Sequence, residues 1–196
     1  PVCTLDQSVF GLATWCSDCG TDIFLTHVLA EHKVIRSMLA DIPRRKELLG
    51  ARVAAKDLEN CLEDTVSVFE AVLKVLFDRH IRKVFSAEEC DRLSAGVRTT
   101  LQNVRWADKM FEKHLKFRAT DSLTESEILS LDTTFAKRHP ITHNLGVVDS
   151  KYLKASQSAE RPGREVGLSL GDVEEALSLS FRAFGSIFER LPRRAG

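Results

Sequence analysis

Between residues 52 and 81, Leu58, Leu62, Thr65, Phe69, Val72, Leu73 and Leu76 recur at intervals of three and four. That spacing puts them on one face of a helix about eight turns long. An apolar face of this length must be covered, and the rest of the chain offers mostly helices to cover it. Looser stripes of the same period appear over 22–41 (Ile23, Leu25, Val28, Leu29, Ile35, Leu39) and over 95–116 (Leu101, Val104, Phe111, Leu115). Two more follow: Ile128, Leu131 and Phe135, then Val173, Leu177, Phe181, Phe184 and Phe188 over 170–191. Ser86 with Glu89, and Thr124 with Glu127, have the spacing of capping boxes and mark helix starts. Asp41 and Pro43 predict a further start, with Asp41 as N-cap and Pro43 in the first turn. Past the first twenty residues no segment alternates with period two. The expected fold is therefore all-α: a bundle of four to five longer helices over 21–196, preceded by a short cysteine-containing segment over 1–20. Residues 144–170 are expected to be looser, with a turn at "NLG" and an exposed flexible loop at "SQSAERPGREVG".

Lys plus Arg and Asp plus Glu each number 28, for a net charge of zero. Bulk charge therefore supplies no strong, sequence-blind attraction to nucleic acid or to a membrane surface, although a local basic site remains open. No apolar run approaches the roughly 20 residues that span a bilayer. Five cysteines are an odd number and few for a disulfide scaffold of 196 residues, so a reduced, cytoplasmic protein is expected. Cys61 and Cys90 fall on helical stripes, where a thiol acts as a small hydrophobe.

The other three cysteines are Cys3, Cys16 and Cys19. A Cys-x-x-Cys pair followed by glycine is the usual knuckle of a zinc ribbon, because the turn aims backbone amides at the thiolates and the glycine takes a positive φ. These three predict a possible structural zinc at the N-terminus. A fourth ligand would come from a cysteine preceding Pro1, giving a matching C-P-V-C knuckle, or from His27 or His32. Free thiols are the alternative.

"KRHPITHN", residues 137–144, gathers Arg138, His139 and His143 around Pro140. An RNA phosphodiester is cut without metal when the 2′-OH attacks phosphorus. The reaction needs a base, an acid and a cation for the non-bridging oxygens. Histidine serves as base or acid near neutrality. Arginine stays charged, and its planar fork matches phosphate. On a straight helix residues five apart point about 140° from one another, so Arg138 and His143 converge only through the reach of arginine or a bend. Pro140 predicts a break there, with His139 near an N-cap and His143 in the first turn.

"FAKRHPITHNLGVVDSKYL" resembles the signature of the HEPN superfamily, an arginine, a polar residue, three further residues and a histidine near the start of a late helix of an all-α bundle. Arg138, His139 and His143 match its three places. The resemblance is firm at 131–153, extends by helix pattern over 50–190, and is similar to a prokaryotic subgroup with a zinc-ribbon-like start. Pro140 departs from the family pattern at a point that bears on the pitch between Arg138 and His143. The resemblance implies a metal-independent endoribonuclease, leaving a 2′,3′-cyclic phosphate and a 5′-OH from a composite cleft shared by a homodimer. It implies toxin–antitoxin, phage-defence or RNA-processing roles, with RNA as substrate and an antitoxin or neighbouring-gene protein as partner. No cofactor is expected for catalysis. Members that bind without cutting supply the alternative.

Further RNA contacts are expected from Asn144, Arg79 and Arg82. A turn at Asn144 and a solvated basic helix face at Arg79, His80, Arg82 and Lys83 are the structural alternatives. Trp106 and Phe111 are read as core or dimer-face residues rather than platforms for a base.

Overall fold

The computed structural model describes residues 3, 12–97, 101–156 and 158–190, and among these there is no strand and there are eight helices. The first two, α1 (Phe24–Leu49) and α2 (Ala51–Ile81), are joined by Gly50 alone. Gly50 sits at φ 91°, ψ 164°, a conformation essentially closed to residues with a Cβ, and its amide donates to the Lys46 carbonyl. The hairpin is tied by the Arg45 guanidinium on Asp57 at 2.6 Å.

α1 runs through Pro43 without interruption, so no new helix starts at Asp41. Asp41 instead takes an ion pair from Arg44 at 2.6 Å. A proline inside a helix costs roughly 3 kcal/mol, because it lacks an amide and crowds the carbonyl four residues back. Here the buried Leu39 and Ile42 keep this turn packed and offset that cost.

α2 is the central element and packs against α1, α3 (Ala87–Gly96), α4 (Val104–Leu115), α6 (Arg138–His143) and α8 (Leu170–Arg190). Leu62, Phe69, Leu73 and Leu76 are wholly buried, and Thr65 joins them by donating to the Cys61 carbonyl at 2.7 Å. Both capping boxes are present, at α3 and at α5 (Glu125–Ala136). The helix expected over 95–116 is shorter than its stripe: α3 ends at Gly96, and α4 starts at Val104, where Asn103 accepts from the Trp106 amide at 2.9 Å. Leu101 is nevertheless buried. The 144–170 segment contains α7 (Ser150–Ser156), capped by Asp149, which accepts from the Tyr152 amide at 2.7 Å. Tyr152 is buried with Val148 and Val166, and its hydroxyl donates to Glu160.

His80 belongs to this core and not to a basic surface. It is buried edge-on to Phe117, and its Nε2 has no hydrogen-bond partner. Burial, with Lys83 and Arg190 nearby, pushes its pKa below the ordinary histidine value of 6.5, while the Ile187 backbone pulls the other way. Between that depressed value and 6.5 the unfolded chain holds a proton that the folded chain lacks, so stability falls as pH falls through this window. Asp108 and Asp132, raised by burial, act in the opposite sense from 3.8 upward. The expected result is a lower urea midpoint at about pH 5.5 than at about pH 7.5, with the drop reduced in His80→Leu. An unchanged pH dependence in His80→Leu would refute the assignment.

Candidate functional site

The ladder of α5 ends at Ala136, because the residue that would donate to its carbonyl is Pro140, which has no amide. Lys137 closes a tighter turn onto Thr134 at 3.2 Å, and α6 then starts at Arg138. The break therefore lies at Lys137, earlier than expected. Pro140 occupies the first turn of α6, where an amide would go unbonded anyway, and His143 is its last residue and not in its first turn.

This short helix brings Arg138, His139 and His143 to one cavity of about 550 Å³. Val66 and Phe135 supply apolar lining, and Gln102, Asn103, Trp106, Asp132, Lys151 and Tyr152 also face it. Arg138 is half-buried. Its Nε donates to Glu63 of α2, and one Nη1 hydrogen goes to Gln102 Oε1 at 2.8 Å. Glu63 also accepts from the Thr142 hydroxyl, so one carboxylate fixes both ends of α6. Gln102 in turn donates to Glu70, itself paired with Lys74. The guanidinium carries five N–H donors, and the Nη2 group has no protein partner among the described residues. Arg138 is thus held rigidly with donors to spare.

The imidazoles of His139 and His143 lie with ring centroids 5.3 Å apart. His139 faces Asp149 at 3.9 Å. Its pKa is lowered, first by desolvation and then by Lys151, with Asp149 opposing. His139 is therefore ready to accept a proton at neutral pH. His143 is exposed. Asp132, buried against the cleft, is pushed upward by desolvation and restrained by Arg105 at 3.0 Å. Glu63, Gln102 and Lys151 were not singled out from sequence, since glutamate, glutamine and lysine on helices are ordinary. Asp132 carried a signal: it follows Leu131 on the stripe of α5 that faces inward.

The other expected contacts lie elsewhere. Asn144 donates from its side-chain amide to the Val147 carbonyl at 2.7 Å and holds the turn after α6. Arg79 pairs with Asp22 at 2.9 Å and lies over the rings of Trp15 and Phe24. Arg82 pairs with Asp78 at 2.6 Å. Arg79 lies thirteen residues along α2 from the cleft residue Val66, about 20 Å at 1.5 Å per residue. Neither arginine faces the cavity. Phe111 is core, as expected, but Trp106 is 53% exposed and stands on the cleft. The core reading of Trp106 is corrected: it lies on the side of α4 opposite the buried Val104, Ala107 and Phe111.

At the other end of α2, Trp15 and Asp22 bridge, Cys16 donates to Thr21 at 2.8 Å, and Gly20 takes φ +66°. This tight loop brings the Sγ atoms of Cys3, Cys16 and Cys19 within 4.8 Å of one another. Hydrogen bonds from Thr21, and the amide of Cys3, pull the exposed Cys19 thiol down to about 5. Tetrahedral zinc with bonds of about 2.3 Å puts its sulfurs about 3.8 Å apart, so the three thiols need only a small contraction to share an ion. His27 and His32 do not join this group, and His32 stacks on Phe181 at 4.0 Å. Cys61 and Cys90 are buried as expected, and burial raises the Cys61 thiol to about 11.

Among the described residues no helix is long and apolar enough to cross a membrane. No family model, curated protein or solved structure matches the chain.

Proposed function

We propose that the chain is a HEPN-type, metal-independent endoribonuclease acting as a homodimer. The observation that carries this reading is the shared lining of one open cavity by Arg138, His139 and His143. In the proposed reaction the 2′-oxygen forms a bond to phosphorus and the bond to the 5′-oxygen breaks. His143 takes the 2′-OH proton or gives one to the leaving oxygen. His139, kept neutral, supports this exchange from the adjacent position. The free face of the Arg138 guanidinium neutralises charge on the non-bridging oxygens, and its anchors in Glu63 and Gln102 keep it oriented without cost at the moment of reaction. The second copy required for the resemblance would bring its own α6 to the seam.

The test is incubation of a single-stranded RNA with the protein in excess EDTA. Cleavage that persists, with 2′,3′-cyclic phosphate and 5′-OH ends, supports the reading, and the active-site variants are argued below. A non-catalytic binding module is the second reading, favoured by the Glu63 carboxylate already seated on Arg138. It gives RNA or protein binding with no cleavage in any metal or chelator.

The N-terminal thiols support a structural zinc held by Cys3, Cys16 and Cys19, which would clamp the loop beneath α1. About one zinc per chain is expected by elemental analysis, together with thiolate-to-metal absorption on cobalt exchange. Cys16→Ser with Cys19→Ser should abolish both signals. Metal-free protein with three freely reactive thiols in this loop would refute the site.

A further inference from the structure

We infer that Trp106 is a stacking platform for one unpaired base of the bound strand, set beside the phosphate-handling groups. This deepens the proposed function and rests on it. Three observations lead to it. Trp106 leaves half of a large aromatic surface in water, although the core around α4 buries Val104, Ala107 and Phe111 completely. It lines the same cavity as Arg138, His139, His143 and Lys151. A cation already lies over its ring, the Lys109 ammonium at 5.2 Å from the centroid, and the Asn103 cap fixes the Trp106 backbone amide at 2.9 Å.

An indole beside cations is the arrangement that binds single strands, with charge following the backbone and a ring face taking a base. Every base has a π-face, so the platform tolerates any sequence. A duplex keeps its bases stacked internally and offers the ring nothing. The geometry therefore points to unpaired RNA as the substrate class, with the base nearest the attacked phosphate splayed onto Trp106. Gln102 is occupied at both ends of its amide by Arg138 and Glu70. Readout of base identity from Gln102 is thereby disfavoured.

The chain has two tryptophans, so Trp15→Phe leaves Trp106 as the sole indole emitter. The probe is a 2′-O-methylated single-stranded oligoribonucleotide, which lacks the attacking hydroxyl and stays intact. Titration should quench Trp106 emission with the same midpoint as fluorescence anisotropy of the labelled oligonucleotide, and a duplex of the same sequence should not quench. Trp106→Ala should weaken single-strand binding about 5- to 150-fold, the span of one base stack, and Trp106→Phe should recover most of it. Binding of the oligonucleotide with unchanged emission, and equal affinity in Trp106→Ala, overturns the platform while leaving the ribonuclease reading intact. So does emission that depends on protein concentration alone with a monomeric Trp106→Ala, which would make Trp106 a seam residue. Failure of every variant and of the wild type to bind or cut RNA overturns both.

Discussion

Arg138→Ala and His143→Ala are each expected to slow single-turnover RNA cleavage by about 10²- to 10⁴-fold, with helical content kept in both and the unfolding midpoint unchanged in His143→Ala. The two losses have different origins. His143 is exposed, so its removal touches little of the core, and the expected fall in rate would come from loss of the proposed proton carrier. Arg138→Ala would remove the cation proposed to meet charge developing on phosphorus, and it leaves Glu63 with the Thr142 hydroxyl as its remaining partner. Arg138→Lys separates charge from geometry. A lysine ammonium keeps the charge but cannot hold Glu63 and Gln102 at once with the planar fork, so it should recover only a small part of the rate. His139→Ala costs less than either. Its loss should shift the pH profile and not abolish cleavage, because its proposed role is to assist from a ring 5.3 Å from that of His143. Wild-type rates in Arg138→Ala and His143→Ala together would end the catalytic reading.

The helices were legible wherever an apolar stripe coincided with a local start or stop. The long stripe of α2 and both capping boxes were of this kind, because periodicity and side-chain capping act over a few residues. Pro43 misled because its local cost is offset by buried neighbours on the same helix, a tertiary effect that a dipeptide does not display. The stripe over 95–116 misled in the opposite way. Leu101 keeps the helical spacing and is buried, yet Gly96 and Asn103 divide the segment. At the site, the residue types of Arg138, His139 and His143 were readable, and so was a break near Pro140. What was not readable is that Glu63, 75 residues away, and Gln102, 36 residues away, anchor the arginine. Such partners are set by how α2 passes α6, and no spacing within the chain encodes that. Arg79 shows the converse, since a basic cluster in sequence is spent on docking the N-terminal loop through Asp22.

Phe69→Ala should cost about 3–5 kcal/mol of unfolding free energy, the largest stability effect of any single substitution considered for this chain. Phe69 is wholly buried at the point where three elements meet. Its ring lies edge-on to Phe135 of α5 at 5.1 Å and tilted against Phe184 of α8 at 5.8 Å. Truncation removes the transfer energy of the ring, both aromatic contacts and the filling between α2, α5 and α8, and none of the three long helices can close the gap alone. A domain of this size has about 5–15 kcal/mol in total, so the variant should sit close to its unfolding threshold at 37 °C. The measurement is the urea midpoint at constant m-value, with Phe69→Leu as the milder comparison. The effect reaches the site as well. Phe135 lines the cleft, and Val66, one turn before Phe69 on α2, lines it too. The cavity left by Phe69 therefore lies directly beneath the cleft lining that carries α6. Phe69→Leu, still folded at 25 °C, should lose cleavage rate disproportionately to its modest loss of stability, because a small shift of α6 misplaces both Arg138 and His143. A loss under about 1 kcal/mol in Phe69→Ala would show that the three-helix junction is not where the fold is held.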